Sequence, residues 1–553
     1  MRAAISVASI GMLAIFSAGF AGEPAPAAAQ GPLCIPTFHC FGIYWSPEGG
    51  TPEKNVLVKY RASDQKDWRE ALPMRYNPIK TPECKGTYRG SIVNLLPETH
   101  YEISLSLENT QTTATLTGAT WSEQFPIAST VKCENSAATL DVNQSGKPNG
   151  YVLYDGKGVV IDGSNKIDLG ISVNASYVIL RGFTIKNVKQ HGIKLLGGTH
   201  IVIEDCDISK WGSEKENGFG VDQQAGVWCR TSNVTQVVIQ RCNIHHPSWN
   251  TNSWAVKRSS GSSHPSGPQT IVFWESQGNH VFRYNELWSD PEHYFNDTMG
   301  GGSNSSYTGF PGADSDIYFN YVANCWDDGI EAEGGGQNVR IWGNYIENSM
   351  MALGNASVTV GPLYFWNNVG GRSYTPPGSS YNMSHGYFMK MGNASGPMTG
   401  QMYVFNNTIF QPKDEGYHGL GGDSKPIHHC MTRNNILNAR TGDHHSIAVG
   451  EASDNDFDYD LISGAVPAKQ EAHGMKGTPK YVEGAGFALD TKTGSFQLAP
   501  DSPGISGAVI IPNFCDATSG GPYLGAHPPG AKPIMVGLKA VFNPPTAMVK
   551  KDK

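Results

Sequence analysis
From about residue 125 to residue 465 the chain returns repeatedly to one short unit. "SDIYFNYVANCWDDGIEAEGG", "QNVRIWGNYIENSMMALGN", "GPLYFWNNVGG" and "GQMYVFNNTIFQ" each carry an alternating apolar strand, a polar break built on Asn, and a second short strand. Asn285, Asn320, Asn344, Asn368, Asn407 and Asn435 recur at the same place in the unit, and the compact spacing is 24 residues, as from Asn320 to Asn344. A repeat of this length, with period-two apolar runs and Gly and Asn at its bends, predicts a β-solenoid. Stacking one unit per turn as parallel strands buries a continuous column of Val, Ile and Leu. The recurring Asn side chains are then free to stack in the turns and bond along the axis. The many N-x-S/T triplets become ladder asparagines in this reading, not glycosylation sites. Composition agrees: 65 glycines and only 16% charged residues among 553 point to strands and tight turns, not to helical bundles.

The flanks read differently. "MRAAISVASIGMLAIFSAGFAG" has one Arg, an apolar stretch and small residues, so residues 1–29 are expected to be a secretory signal peptide. No later segment reaches the roughly 20 apolar residues of a membrane span, and the expected location is extracellular or periplasmic. Residues 31–120 alternate as half-buried strands do and predict a small β-sandwich. There Leu95, Pro97, Thr99 and Tyr101 in "LLPETHYEI" match L-x-P-x-T-x-Y, so the segment resembles a fibronectin type III domain, with Trp45 and Trp68 as candidate core residues. Residues 531–553 are expected to form a flexible tail. A formal net charge of −8 without a basic stripe argues against a nucleic-acid partner. The expected partner is a polysaccharide, and a monomer is expected. Cys206, Cys229, Cys242 and Cys325 lie in apolar strand patterns and are expected in the core.

"GYVLYDGKGVVIDGSNKIDLGISVNASYVILRGFTIKN" and the closing "GSFQLAPDSPGISGA" resemble the ends of the secreted right-handed parallel β-helix proteins, the pectate-lyase-like superfamily. The expected fold class is therefore all-β, a right-handed parallel β-helix over residues 125–530 behind a small β-sandwich. Such a fold hosts many chemistries, so function must come from a site.

That site is sought in "NCWDDGIEAEGGGQNVRIWGN". Strand alternation sends Ile330 and Ala332 inward and Glu331 with Glu333 outward, about 6.5–7 Å apart. Asp327 and Asp328 precede them, as site or turn residues. Aligning other coils by their apolar positions puts Lys194, Trp228, Arg230, Glu275, Asn355, Phe388 and Lys390 on the same outward stripe. Asn296 or Asp297 joins them, depending on register. Long loops at residues 247–269 and 297–313 would wall a groove.

Three functions fit. β-Elimination by a polysaccharide lyase needs a cation to neutralise a uronate carboxylate and a base to take the adjacent proton. Glu331, Glu333 and Asn296 resemble the calcium-binding arrangement of the chondroitinase B and alginate lyase family. That family places a Lys base shortly after its E-x-E. Here Arg340 stands in that region instead, and Lys257, Arg258, His293 or Lys390 would have to serve. Hydrolysis by paired carboxylates is the second. "WDDGIEAE" and "SHGYFMKMG" with His385 resemble parts of the polygalacturonase pattern, whose N-T-D and R-I-K motifs are missing. A non-catalytic glycan-binding or adhesin β-helix is the third. The candidate catalytic residues are Glu331, Glu333, Asp328, His293 and Lys390. The candidate substrate-binding residues are Glu275, Arg230, Trp228, Asp327 and Arg340.

Overall fold
The structure, a computed structural model, describes residues 31–77, 87–301, 307–356, 358–373, 386–392, 399–410, 417–421, 426–439, 445–448, 454–517 and 520–543. The expected signal peptide and His385 lie outside these residues. The described residues contain no α-helix, and no helix is long and apolar enough to cross a membrane.

Seven antiparallel strands between Leu33 and Ala119 form the N-terminal sandwich. Arg69–Asn77 joins its two halves, pairing first with Val56–Ala62 and at its end with Thr87–Ile92. Phe41, Ile43, Val56, Tyr60, Tyr101 and Ile103 fill the core. The Tyr101 hydroxyl accepts the Leu96 N–H at 2.9 Å, tying the strand back to the preceding turn as expected of a tyrosine in that motif. Trp45 is in the core; Trp68 is not, and its ring lies 40% exposed under the Arg61 guanidinium.

Beyond residue 127 the chain winds into a right-handed parallel β-helix of three faces. The first face runs from Ile127–Lys132 to Asp456–Phe457, the second from Val160–Asp162 to Met475–Lys476, and the third from Leu140–Val142 to His418–Gly421. Each strand pairs in parallel with the equivalent strand of the next coil, as in Ile317 to Ile341 to Phe365 to Val404. The column inside is Val, Ile, Leu and Phe, with Cys206, Cys229, Cys242 and Cys325 as small apolar members. The described cysteines are all unpaired thiols.

The asparagine ladder stands at the corner between the first and second faces. Asn320 Nδ2 donates to Asn344 Oδ1, Asn344 to Asn368, Asn368 to Asn407 and Asn407 to Asn435, each at 2.9–3.1 Å. Asp460 ends the series by accepting from Asn435. Each side chain also accepts a backbone N–H from the coil before, so buried turn amides are satisfied without water.

The sandwich packs on the first face. Phe38, Cys40 and Val93 meet a stack of Tyr318, Trp342 and Trp366, whose rings lie 4.3 and 5.2 Å apart and within 12° of parallel. Arg340, expected to bind substrate, belongs to this interface: it is fully buried, with Nε 2.5 Å from Asp316 Oδ1. Thr37 of the sandwich bonds the other Asp316 oxygen. The expected tail is also partly fixed. Ile534–Met535 pairs with Thr493–Ser495, Ala540 is buried, and the Phe542 ring lies 4.0 Å from that of His39.

Candidate active site
The third face carries the acid. At the start of its strands two successive residues point inward, because the chain turns a corner there. A side chain at Gly329 would strike Ile346 and the Ala352 carbonyl, so Gly329 faces the interior like Ile330 after it. Asp328 before this corner and Glu331 and Glu333 after it therefore share the outer surface. The same double step puts Phe388 and Met389 inside and Lys390 outside. Glu331, Gly354 and Lys390 are in register on successive coils.

Lys390 Nζ lies 2.5 Å from Asp328 Oδ2 and 2.8 Å from Glu333 Oε1. Asp297, one coil earlier, accepts the Asp328 backbone N–H at 3.1 Å and the Gln269 side-chain amide at 2.8 Å. Carboxylate oxygens of Asp297, Asp328 and Glu331 all lie within 4.8 Å of one another. Asp327 closes the group, with His264 Nε2 3.4 Å from its Oδ2. Burial and mutual repulsion push Asp297, Asp328 and Glu331 well above the usual carboxylate range, against the downward pull of Lys390. Burial lowers the proton affinity of Lys390, but Asp328, Glu333, Asp327 and Glu331 outweigh it and hold the ammonium protonated.

The 247–269 segment forms one wall. Trp254 donates its indole N–H to the Trp326 carbonyl at 2.6 Å and packs on Met350, Met351 and Tyr387. Tyr294 sits edge-on to Trp326 at 4.2 Å. Arg258 anchors the segment through Glu216 at 2.9 Å and is not placed as a base; Lys257 is exposed outside the cluster. Towards the N-terminal coils the same face shows Lys194 over the Trp228 ring and Arg230 over the Trp274 ring.

The structure thus brings together Asp327, Asp328, Glu331, Glu333 and Lys390. Trp228 and Arg230 lie on the same face, three coils away. Glu275 follows its strand at positive φ and reaches Arg230 at 3.8 Å, while Trp274 takes the outward position expected of Glu275. Asn296 faces Asp222 at 3.2 Å, and its neighbour Asp297 enters the cluster instead. Asn355 is buried behind the strand, with Gly354 outward. His293 turns to Asp290 and His246, away from the acids. His264, Trp254 and Tyr387 had no sequence signal beyond membership of a long loop or apolar run.

No protein-family model and no curated protein matches the sequence. Among solved structures the chain is similar to pectate lyase Pel9A, at 13% identity and a TM-score of 0.35 over 74% of this chain and 91% of that one. It is also similar to XylC in its complex with xylose, at 9% identity and 0.29 over 82% and 76%. A third is the Yersinia enterocolitica family 28 exopolygalacturonase, at 11% and 0.20 over 81% and 99%. At these identities the likeness concerns the fold alone. Fold and site together define a parallel β-helix with a lysine-centred acid cluster on one face.

Proposed function
We propose that the chain is a secreted enzyme that cleaves a uronate-containing polysaccharide by β-elimination in the groove of the third face. The observation that carries this reading is the convergence of Lys390 with Asp297, Asp328, Glu331 and Glu333 from three coils. Such a surplus of buried negative charge needs cations or protons. Asp297, Asp328 and Glu331 fit calcium: their oxygens are hard donors within 4.8 Å of one another, on a rigid strand and its neighbour. Bound there, calcium would neutralise a uronate carboxylate and acidify the C5–H beside it.

Lys390 is the base this arrangement offers. Asp328 and Glu333 set its proton affinity, so neutralising them lowers it toward a working range. The neutral amine takes the C5 proton, the C–H pair becomes the C4=C5 double bond, and the C4–O4 bond breaks. The leaving oxygen takes a proton from water or from a protonated carboxyl. Trp254 and Tyr387 shield the site from bulk water. Hydrolysis by paired carboxylates is the second reading, favoured by the upward-shifted Asp297, Asp328 and Glu331, any of which could serve as acid.

A panel of acidic polysaccharides separates the two. Elimination gives a product whose new double bond, conjugated with the carboxylate, absorbs in the ultraviolet, and a calcium chelator suppresses it. New reducing ends without that absorbance would establish hydrolysis instead, and binding without turnover on any polymer would establish the non-catalytic role.

A further inference from the structure
The asparagine ladder starts at Asn285, but its corner continues for two coils before it. Glu204 is in register with Gln240 and Asp207 with Asn243, so Cys206 and Cys242 are equivalent positions on neighbouring coils. Asn243 pairs in turn with Glu286, which sets Cys242 beside Asn285, and the Cys242 N–H donates to Asn285 Oδ1 at 2.9 Å. The backbone repeats as well: Asp205 at φ 54° and Arg241 at φ 52° bend the chain before each cysteine as Phe319 at φ 52° does before Asn320. Both cysteines therefore stand in the column of the ladder, one over the other.

Side chains at this corner touch along the axis. Where both are Asn they bond at 2.9–3.1 Å. Where both are Cys, the Cys206 thiol is the hydrogen-bonding neighbour of Cys242. As thiols they gain little there: each is buried and in weak contact with a carbonyl two residues back, Glu204 at 3.3 Å and Gln240 at 3.4 Å. Neighbouring strands are about 4.8 Å apart, inside the roughly 4.4–6.8 Å that the Cα atoms of a disulfide span, and closure draws the Cβ atoms together by about 1 Å. Among the described residues no other two cysteines are in register: Cys229 pairs with Phe273 and Cys430 with Met402.

We propose that Cys206 and Cys242 close a disulfide between successive coils as the chain folds, a covalent rung at the head of the asparagine ladder. Two S–H bonds break and one S–S bond forms. The two electrons and two protons pass to a disulfide-bearing oxidant, of the glutathione or oxidoreductase class, which leaves as two thiols. Burial holds the Cys242 thiol well above its usual range, so the exchange precedes burial and the finished bond is shielded from reductants. The cysteines are 36 residues apart, and the loop they close is one full coil, carrying Trp228 and Arg230 on the third face. Tying its ends restricts the unfolded chain and holds that end of the groove face in register with the coils that follow.

The full chain, produced by export to a bacterial periplasm so that it folds with such an oxidant, tests this. It is unfolded without reductant, alkylated, digested and mapped by mass spectrometry. The expected result is a linked peptide pair joining Cys206 to Cys242, two hydrogens lighter than its parts, with neither residue alkylated until a reductant is added. In Cys242→Ala, checked for folding by circular dichroism, Cys206 becomes alkylated without reductant. Alkylation of both cysteines in unreduced wild type overturns the proposal, and so does Cys206 or Cys242 linked to any other cysteine.

Discussion
Replacing Lys390 with Met removes its ammonium from the acid cluster and keeps most of its packing. The nitrogen sits 2.5 and 2.8 Å from two carboxylates, and its side chain is 16% exposed while theirs are at 0 and 2%. Deleting one partner of so buried a group typically costs about 3–5 kcal/mol, because the remaining charges lose their compensation. The loss depends on pH in a defined direction. Asp328 and Glu331 already sit above the usual carboxylate range in the folded chain, and Lys390 is what pulls them down. Without it they rise further, so the folded state holds protons that the unfolded state has released. The deficit of Lys390→Met is therefore smallest in acid and deepens as pH rises above the ordinary carboxylate value. Denaturant midpoints across that range, with and without calcium, measure it. Calcium at a hundredfold over its dissociation constant returns about 2.7 kcal/mol. Turnover stays down by about 10²–10⁴-fold, since the base is gone. A variant equal to wild type in midpoint at neutral pH refutes the electrostatic reasoning; one that retains elimination activity refutes the assignment of the base.

Two further changes probe the frame. Asn344→Ala strands the amide groups of Asn320 and the Ile317 carbonyl in the buried ladder, and is expected to cost about 3 kcal/mol or more in denaturant unfolding. Arg340→Met leaves Asp316 buried and unpaired and should cost about 3–5 kcal/mol, while Arg340→Met with Asp316→Leu recovers most of it; turnover per folded molecule stays unchanged in both, because this pair lies on the first face.

The solenoid was legible because its determinants are periodic. From Asn285 to Asn435 the recurring asparagines mark the same corner in successive coils, and the six form a ladder, with Asn285 donating to Asn320 at its start. The strands holding Glu331 and Glu333 were legible for the same reason. What alternation could not show is the corner. At Gly329–Ile330 and at Phe388–Met389 two successive residues point inward, so a strict period of two misplaces Phe388 and leaves Asp328 undecided. The one-residue shift from Asn296 to Asp297 has the same origin: Met299 pairs with Ile330, so Asp297 is the equivalent of Asp328. Arg340 failed for another reason: it points outward on the first face, which means against the sandwich, and no single-strand pattern reports what covers a face. The docking of residues 531–543 is likewise a long-range contact with no local signature.

The glycines on the third face yield the last prediction. Gly300, Gly354 and Gly421 alternate with Glu331 and Lys390 along the outward column. None of this is needed for the strands, which would be firmer with any β-former. A side chain at Gly354 would strike the Asp328 carboxylate, and one at Gly300 would meet Glu331 Oε2 at 2.7 Å. The bare positions are what let the acids lean along the axis and converge with Lys390. Gly354 does not have positive φ, so alanine there is free of backbone strain and gains about 0.5–1 kcal/mol from the lower entropy of the unfolded chain. Its methyl group nonetheless turns Asp328 away from Lys390, and a displacement of about 1 Å in a catalytic group costs about a hundredfold in rate. Gly354→Ala is therefore expected to lower turnover, and the denaturant midpoint falls as well, because losing the buried Asp328–Lys390 pairing, about 3–5 kcal/mol, exceeds what the glycine's entropy returns. Unchanged turnover in a stable variant would show that the convergence of Asp328 on Lys390 is not required for the chemistry.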